Sequence, residues 1–211
     1  MTRRGVWDIQ DVRDKLLAGD PWLRFNNLYT SGYNGNGQLG QNDTGTGQAL
    51  GPVYLPTTAD TRNWSHVKGM GYSSGAITED NKLFTFGVNS GGELGLNAPY
   101  YGARSAPTQV PGTTWASLGN SGAQNWLATK TDGTMWFCGA TGATPGYSRG
   151  FAGWPANKPC SSPIQVPGTN WAANPGRQDQ QKYLNTKQAI YVIDDDNKLY
   201  SQGLILRIFL L

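Results

Sequence analysis

The chain contains 211 residues, a length that supports one hydrophobic core or one array of short repeats. Charged residues make up 15% of it, well below the roughly 25% that is usual in soluble proteins, whereas glycine contributes 29 residues and tryptophan 8. Its 17 basic and 14 acidic residues give a formal net charge of +3, and the basic residues near the start alternate with acidic ones. The sequence therefore offers no basic stripe, and we expect no nucleic-acid partner.

Cysteine content and hydropathy argue against further classes. The two cysteines, Cys138 and Cys160, are too few for a disulfide framework and lack zinc-ligand spacing, which favours two buried thiols. The start of the chain becomes polar within a few residues, so we expect no secretory signal. The longest apolar run, Leu204 to Leu211, is too short to span a bilayer, and we expect no membrane insertion.

The first predicted element is a short amphipathic helix near residues 8 to 18. Asp8 is a suitable N-cap, and Gly19 is a suitable end. Three apolar residues share one face of this helix, which must therefore pack on another surface: Ile9, Val12 and Leu16. We interpret residues 1–25 as a helical docking or cap segment that either covers the structure that follows or anchors the chain to a partner.

From residue 26 onwards the sequence repeats itself, and the first repeated feature is a tight turn. Three segments can be aligned without gaps: 76–87, 128–139 and 192–203. Each has an aspartate at the same position, then Asn or Gly, and, one residue later, an apolar and an aromatic residue. This pattern predicts a β-hairpin in each segment, with turns at Asp80–Asn81, Asp132–Gly133 and Asp196–Asn197.

Two further elements recur with nearly the same period, about 55 residues. The matching pairs are 28–40 with 83–95, and 107–115 with 163–171. Units of about 50 residues, in which Gly and Pro separate several short strands, are typical of propeller blades with about four strands. The sequence therefore predicts an all-β fold, a partial β-propeller of about three four-stranded blades over residues 26–203.

Each unit has one tryptophan at the same position: Trp64, Trp115 and Trp171. A blade cannot cover both of its faces alone, so its neighbours must do so. We interpret the three tryptophans as core between blades, because a large ring can bridge adjacent sheets. A row of ligand-stacking rings is the alternative interpretation.

Together these motifs resemble the repeat of the regulator of chromosome condensation family. They read Leu-aromatic-x-x-Gly-x-Asn-x-x-Gly-Gln/Glu-Leu-Gly, then Pro-x-x-Val-Pro-Gly-x-x-Trp, with a Thr-Asp-Gly turn. The resemblance covers about residues 26–203 and implies blades arranged in a seven-bladed ring. About three and a third units are present, and the third lacks the Asn-x-x-Gly motif at residues 139–146. One copy is therefore not expected to close such a ring.

The start of the chain and the near-identical Val-Pro-Gly-Thr-x-Trp elements look most like repeat proteins of bacterial viruses. This resemblance implies a virion component, such as a tail, fibre or capsid-surface protein, with a structural or adhesion role and no enzymatic activity. The partners that it implies are other virion proteins, further copies of the chain or a host-surface receptor. The alternatives are an exchange-factor-like propeller that binds a small GTPase and an inhibitor-like propeller that binds another protein.

After Gly203 the sequence departs from the repeat and continues as the apolar tail 204–211. A stack of about three blades also leaves an uncovered face at each end. We therefore predict an interface formed by the helix face and the tail: Ile9, Val12, Leu16, Leu204, Ile205, Leu206, Ile208 and Phe209. The covering surface is another copy, a neighbouring virion protein, or the same chain folded back.

Motifs that carry catalytic or cofactor chemistry do not appear. The single histidine, His66, stands in a strand-like run, and the sequence contains no P-loop and no Cys-His ligand set. The acidic run Asp194–Asp196 falls on a predicted hairpin turn, which favours a turn over a calcium site. We therefore expect a protein that is not an enzyme and that holds no cofactor and no metal.

Overall fold

The regular secondary structure in the described part of the chain consists of β-strands. The computed structural model describes residues 28–45, 48–54, 64–98, 102–119, 124–140, 159–171, 183–185 and 189–203. The predicted helix and the apolar tail 204–211 lie outside these ranges, and within them no helix is long and apolar enough to cross a membrane. The strands are β1 (Tyr29–Tyr33), β2 (Gln48–Tyr54), β3 (Trp64–Gly69), β4 (Ser73–Thr78), β5 (Leu83–Gly87), β6 (Arg104–Gln109), β7 (Trp115–Leu118), β8 (Asn125–Lys130), β9 (Met135–Gly139), β10 (Cys160–Val166), β11 (Tyr183–Asn185), β12 (Ala189–Ile193) and β13 (Leu199–Gly203).

These strands form four antiparallel sheets in chain order. The first sheet is β1–β2, the second β3–β6, the third β7–β10 and the fourth β11–β13. By sequence alignment, β1 and β2 correspond to the third and fourth strands of a complete sheet, and β11 to β13 correspond to the first three. The predicted all-β partial propeller is confirmed: in the described residues, two complete blades stand between two partial ones.

Hairpin turns connect the second and third strands of each of the last three sheets. In the first of them, Asn81 N–H donates to Thr78 O and Thr78 N–H donates to Lys82 O, both at 3.0 Å, which closes a three-residue loop. The last residue of each loop has a positive φ: 61° at Asn81, 77° at Gly133 and 62° at Asn197. Glycine and asparagine tolerate this backbone conformation best, which explains their presence there. The three predicted turns are confirmed.

The Val-Pro-Gly-Thr-x-Trp element carries the chain from one sheet to the next. Val110 N–H donates to Leu83 O at 2.8 Å, and Trp115 N–H donates to Asn81 O at 3.0 Å, so both ends of the crossing are held by the second sheet. Gly112, at a φ of 106°, packs on the indole of Trp115, where a Cβ would lie 3.3 Å from Nε1. The crossing thereby places Trp115 at the boundary between the second and third sheets.

The crossing from the third to the fourth sheet has the same geometry. Trp171 N–H donates to Gly133 O at 3.0 Å. Gly168, at a φ of 107°, again packs on the indole, and a Cβ there would lie 3.1 Å from Trp171 Nε1. The repeat in the sequence is therefore a repeat in three dimensions.

Each of the three repeated tryptophans makes an edge-to-face contact with the aromatic residue that follows the hairpin turn of its own sheet. The ring centroids lie 5.6 Å apart in Trp64–Phe84, 6.2 Å in Trp115–Trp136 and 5.3 Å in Trp171–Tyr200. Such pairs contribute about 0.5–1.5 kcal/mol beyond the burial of their surface. The tryptophan thus connects the start of each of these three sheets to the third strand of the same sheet.

The largest hydrophobic cluster lies between the second and third sheets. Trp115 is 1% exposed and also contacts Trp126 edge-on, with the ring centroids 5.9 Å apart. The second sheet and its connections contribute four residues to the cluster, and the third sheet contributes five: Met70, Ile77, Leu83 and Val110 on one side, and Trp115, Leu118, Trp126, Ala128 and Cys138 on the other. The core is therefore shared by two blades rather than enclosed within one.

Two smaller clusters continue this pattern along the stack. Trp64 is buried beside Leu28, which immediately precedes the first sheet, and beside apolar residues of the second sheet. Trp171 is partly buried and packs on a cluster that joins the third sheet to Val192 of the fourth. All three tryptophans therefore lie where neighbouring sheets meet.

We predict that Trp115→Ala lowers the free energy of unfolding by about 3–5 kcal/mol, the usual cost of truncating a buried tryptophan. The change also removes a contact in which Lys130 Nζ lies 4.9 Å from the centroid of the Trp115 ring. Denaturant unfolding followed by circular dichroism measures the loss. Thr113→Ala, at an exposed residue of the same crossing, is the control and should change stability by less than about 0.5 kcal/mol. A Trp115→Ala variant as stable as the wild type would support the ligand-stacking alternative.

Candidate interaction surface

The connections between strands lie at two opposite ends of the sheets. Because adjacent strands are antiparallel, the links from first to second strand and from third to fourth strand share one end. We call this the loop end, and its described residues include 34–45, 70–72, 88–98 and 102–103. The hairpin turns and the crossings between sheets share the other end, which we call the turn end.

The two loops that follow β1 and β5 have the same internal support. Asn34 is 4% exposed, and its Oδ1 accepts the N–H of Leu39 at 3.0 Å. Asn89 is 1% exposed, and its Oδ1 accepts the N–H of Leu94 at 3.1 Å. A buried carboxamide thus satisfies a backbone donor that an irregular loop leaves unpaired. The Asn of the Gly-x-Asn-x-x-Gly motif is therefore part of the loop's own framework.

Both loops are also hydrogen bonded to the sheet that follows. Asn42 N–H donates to Ser105 O in the second sheet, and Asn97 N–H donates to Ser161 O in the third, each at 2.7 Å. Both asparagines have a positive φ, 60° at Asn42 and 51° at Asn97. The left-handed backbone, which asparagine tolerates, turns each loop towards its neighbour.

A second contact from the neighbouring sheet holds each loop. Ser74 and Trp126 occupy the same position in β4 and β8. Ser74 Oγ donates to Gln38 O at 3.1 Å, and Trp126 Nε1 donates to Glu93 O at 2.7 Å. Because each loop is fixed at two points by the adjacent blade, the packing of the sheets sets its position.

Two tyrosines project from the loop end. Tyr72, between β3 and β4, is 64% exposed, and Tyr33, at the end of β1, is 53% exposed. The Tyr33 ring lies over Gly35, where an added Cβ would overlap the phenol. The ring of Tyr33 is thus supported by backbone beneath it while much of its surface faces solvent.

The remaining exposed surface of the loop end is polar and carries little charge. The carboxamides of Asn42 and Asn97 are exposed. Among the described residues at this end, the exposed charged side chains are Asp43 and Arg104. The Asp43 carboxylate is hydrogen bonded within its own loop, because Asn34 Nδ2 donates to Asp43 Oδ1 at 2.5 Å. Exposed tyrosine rings with amide groups and few charges are typical of binding surfaces in proteins.

The turn end is acidic, and its aspartates stabilise the turns. Asp132 Oδ1 accepts the N–H of Thr134 at 3.0 Å, and Asp194 Oδ1 accepts the N–H of Lys198 at 2.8 Å. Hydrogen bonds from the Thr134 hydroxyl and from the Lys198 backbone are the main causes that lower the pKa of these two carboxyls. In the ranges that the structure describes, no group of three or more His, Cys, Asp or Glu side chains is placed to hold a metal.

Glu93 is a buried carboxyl within the loop that follows β5. It is 1% exposed, its Oε2 accepts the N–H of Gly91 at 2.6 Å, and its Oε1 lies 3.3 Å from the donor Ser90 Oγ. Burial outweighs these hydrogen bonds and raises the pKa of Glu93. At the equivalent position of the preceding loop, Gln38 Oε1 accepts the N–H of Asn36 at 2.9 Å. A neutral amide therefore performs the same structural role without a buried charge.

The histidine and the two cysteines belong to the strands β3, β9 and β10. His66 is on β3, its Nδ1 lies 3.1 Å from Ser65 Oγ, and partial burial followed by the charge of Lys68 lowers its pKa. Both cysteines are buried, and Cys138 Sγ donates to Cys160 O at 3.2 Å. Burial raises the pKa of Cys138, which disfavours the reactive thiolate.

The predicted interface residues lie outside the described residues: Ile9, Val12, Leu16, Leu204, Ile205, Leu206, Ile208 and Phe209. The predicted site residues do not include Tyr33, Tyr72 or Glu93. A signal existed for Tyr33, because it directly precedes the Asn of the repeated loop motif. Tyr72 stands in a short link between two strands that carries no repeated residue pattern, so only the fold places it at the loop end.

Comparison with known proteins links the chain to propellers of one type. No protein-family model matches the chain. The X-linked retinitis pigmentosa GTPase regulator of Mus musculus is 39% identical over 69 residues, which are 33% of this chain and 7% of that protein. The matched segment is thus about a third of the chain and a small part of the relative.

Three solved structures share its fold. Human WBSCR16 has a TM-score of 0.65 at 16% identity and covers 85% of this chain and 43% of its own. Prp20p from Saccharomyces cerevisiae, described with its binding properties to Gsp1p and histones, has a TM-score of 0.56 at 17% identity. The match covers 74% of this chain and 36% of Prp20p. The structure of Kap60 bound to yeast RCC1 (Prp20) has a TM-score of 0.57 at 16% identity. The match covers 84% of this chain and 40% of the solved chain.

The fold is therefore a β-propeller of the kind formed by the regulator of chromosome condensation. The GTPase regulator and the two Prp20 structures also support the resemblance of the repeats to that family. This chain covers less than half of each of these three solved chains. It corresponds to a part of such a propeller rather than to a whole one.

We predict that Glu93→Gln stabilises the protein at neutral pH. The folded state raises the pKa of Glu93 from its ordinary value of 4.5, so its stabilising contribution is complete below that value and is lost as the pH rises through the raised pKa. The variant keeps the acceptor for Gly91 N–H, as Gln38 does for Asn36, and removes the buried charge.

Urea unfolding of both proteins across the pH range measures this effect. The two free energies of unfolding should be similar at acid pH and should separate in favour of Glu93→Gln as the pH rises. Glu79→Gln, at the other glutamate of the sequence, is the control because Glu79 is exposed. A Glu93→Gln variant that is less stable than the wild type at neutral pH would contradict this account of the buried carboxyl.

Proposed function

We propose that this propeller is a non-enzymatic binding protein whose loop end contacts a protein partner, and that it is a structural or adhesion component of a bacteriophage virion. One observation carries the binding role: the loop end presents exposed tyrosines beside loops that are fixed at two points by the neighbouring sheet. A surface of this kind binds without first having to order its own backbone.

The physical advantage of such a surface is preorganisation. Binding loses free energy whenever a loop or a side chain must be ordered, at about 0.5–1.5 kcal/mol for each immobilised flexible side chain. Tyr33 rests on Gly35, and the loops that follow β1 and β5 are held by buried asparagines. Tyrosine adds contact area at low entropic cost because it has few rotatable bonds. The scarcity of charge favours a partner surface that is also close to neutral.

The comparisons support a protein partner in general terms. Yeast Prp20 binds Gsp1p and histones and is bound by Kap60, and these are partners of that protein. Propellers serve many functions, so the fold alone does not select among partners. An exchange-factor-like role is the second candidate, favoured by the similarity to a GTPase regulator.

The virion assignment rests on the sequence. The repeats resemble those of phage-encoded proteins, and their Val-Pro-Gly-Thr-x-Trp elements are nearly identical at residues 110–115 and 166–171. Charged residues are only 15% of the chain. A charge-poor, glycine-rich repeat suits a protein that is packed among copies or neighbours in a particle. On this proposal the protein resides in the virion.

We predict that the protein copurifies with intact phage particles through a density gradient, and that the double variant Tyr33→Ser, Tyr72→Ser does so at least about tenfold less. Loss of two exposed aromatic contacts at the centre of an interface accounts for an effect of this size. Quantitative mass spectrometry of the particle band measures the amount bound.

Val67→Ser is the matched control, because Val67 is 46% exposed but lies within β3 rather than at the loop end. Thermal unfolding should be the same for all three proteins. Absence of the wild-type protein from the particles would contradict the virion role, and the exchange-factor alternative would then be tested with purified small GTPases. Retention of the double variant on particles would contradict the role of the loop end.

A further inference from the structure

The residue that pairs across the strands with the repeated tryptophan differs in each of the last three sheets. The three pairs are Trp64–Thr78, Trp115–Lys130 and Trp171–Asp194. Cross-strand partners project from the same face of a sheet and lie close together. The second sheet therefore places a hydroxyl beside its tryptophan, the third sheet an ammonium and the fourth sheet a carboxylate.

In the third sheet the aromatic pair holds this ammonium. Lys130 Nζ lies 4.1 Å from the centroid of the Trp136 ring and 4.9 Å from the centroid of the Trp115 ring. A cation over an aromatic face within about 6 Å of the centroid is attracted by the negative charge of that face. The edge-to-face pair of a sheet can therefore bind an organic cation, and the third sheet supplies one from its own strand β8.

The fourth sheet has the aromatic pair without the cation. The rings of Trp171 and Tyr200 meet at an interplanar angle of 78°, close to the 73° between Trp115 and Trp136. Within the residues that the structure describes, no lysine or arginine lies over the ring of Trp171 or Tyr200. Tyr200 is 45% exposed, whereas Phe84, its equivalent in the second sheet, is 4% exposed. The Tyr200 ring is thus open to solvent.

Negative charge lies beside this open ring. Asp194 Oδ2 accepts the Tyr200 hydroxyl at 3.0 Å, and the backbone N–H of Lys198, bound to Oδ1, is the main cause that lowers the pKa of Asp194. The Asp194 carboxyl is therefore ionised at neutral pH. Asp196 lies 3.5 Å from Lys198 Nζ and has a largely exposed side chain. Three aspartates and one lysine in the turn 194–198 leave a net charge of −2, which attracts a cation from solvent.

We propose that Trp171 and Tyr200 form a binding site for a basic side chain of a protein partner. The guanidinium or ammonium of that side chain takes the place over Tyr200 that Lys130 Nζ takes over Trp136, and the Asp194 carboxylate supplies the opposite charge. The site lies at the turn end of the sheets. It goes beyond the proposed binding role, since that role concerns the loop end.

An NMR titration with N-acetylarginine amide and, separately, N-acetyllysine amide tests the site. The indole N–H signal of Trp171, assigned by its absence in Trp171→Phe, should shift saturably with at least one of these probes, and the tighter probe identifies the side chain. N-acetylcitrulline amide, which has nearly the shape of the arginine probe without its charge, should cause no shift. The indole N–H of Trp115, whose ring already has Lys130 above it, is the internal control and should not move.

Variants at two positions assign the binding to the ring and to the place of the cation. Tyr200→Leu removes the ring and should weaken binding at least about threefold, whereas Tyr200→Phe keeps the ring and should bind like the wild type. Asp194→Lys gives the fourth sheet the residue of the third, so its own ammonium should fill the pair and abolish binding. An unchanged Trp115 signal shows that a variant is folded. If Asp194→Lys does not fold, Asp196→Asn, at an exposed carboxylate, should weaken binding about twofold.

Three results would overturn the proposal. They are the absence of a saturable Trp171 shift with both cationic probes, an equal shift with the citrulline probe, and unweakened binding by Tyr200→Leu. Because the probes are small molecules and the variants lie at the turn end, none of these results depends on phage particles or on the tyrosines of the loop end. Failure of this site and failure of the proposed function are therefore distinguishable.

Discussion

A β-sheet with apolar side chains on both faces is stable only between two neighbours, and this requirement organises the protein. The third sheet is the clearest case, because Trp126 and Cys138 face the second sheet while Leu127 and Phe137 pack towards the fourth, all with no exposed surface. The hydrophobic driving force of about 25 cal/mol per Å² is therefore realised between blades. The repeated tryptophan strengthens each of these contacts, and Trp115 and Trp171 are themselves placed by the glycine of the crossing that precedes each of them.

The same packing determines the geometry of the candidate interaction surface. The loops at the loop end take hydrogen bonds from the next sheet at the carbonyls of Gln38 and Glu93, and they donate to it from Asn42 and Asn97. A change in the core between two sheets would therefore shift the loops as well. Stability and recognition are coupled in this fold because a single set of interfaces supports both.

Features set by local chemistry could be predicted from the sequence, and those set by neighbouring sheets could not. The Asp-Asn and Asp-Gly turns follow from the backbone preferences of glycine and asparagine, and the period of the tryptophans indicated blades. The burial of Glu93 was not predictable, because the repeat places Gln38 at the same position and nothing local marks one of them as enclosed. The 67% exposure of Leu199 was equally hidden, since its sequence context matches that of Met135, which is 0% exposed. The interface predicted for the helix and the tail lies outside the described residues and stays a prediction.

Native-state hydrogen exchange of the backbone amides tests most directly whether the blades form one cooperative unit. If the sheets depend on each other, the central strands β4 and β8 should exchange with the same unfolding free energy and the same denaturant dependence. The Trp115 amide, which bonds across the crossing to Asn81, should exchange together with them. Loss of protection in the second sheet at denaturant concentrations that leave the third sheet protected would contradict the account, because it would show that each blade is stable without its neighbour.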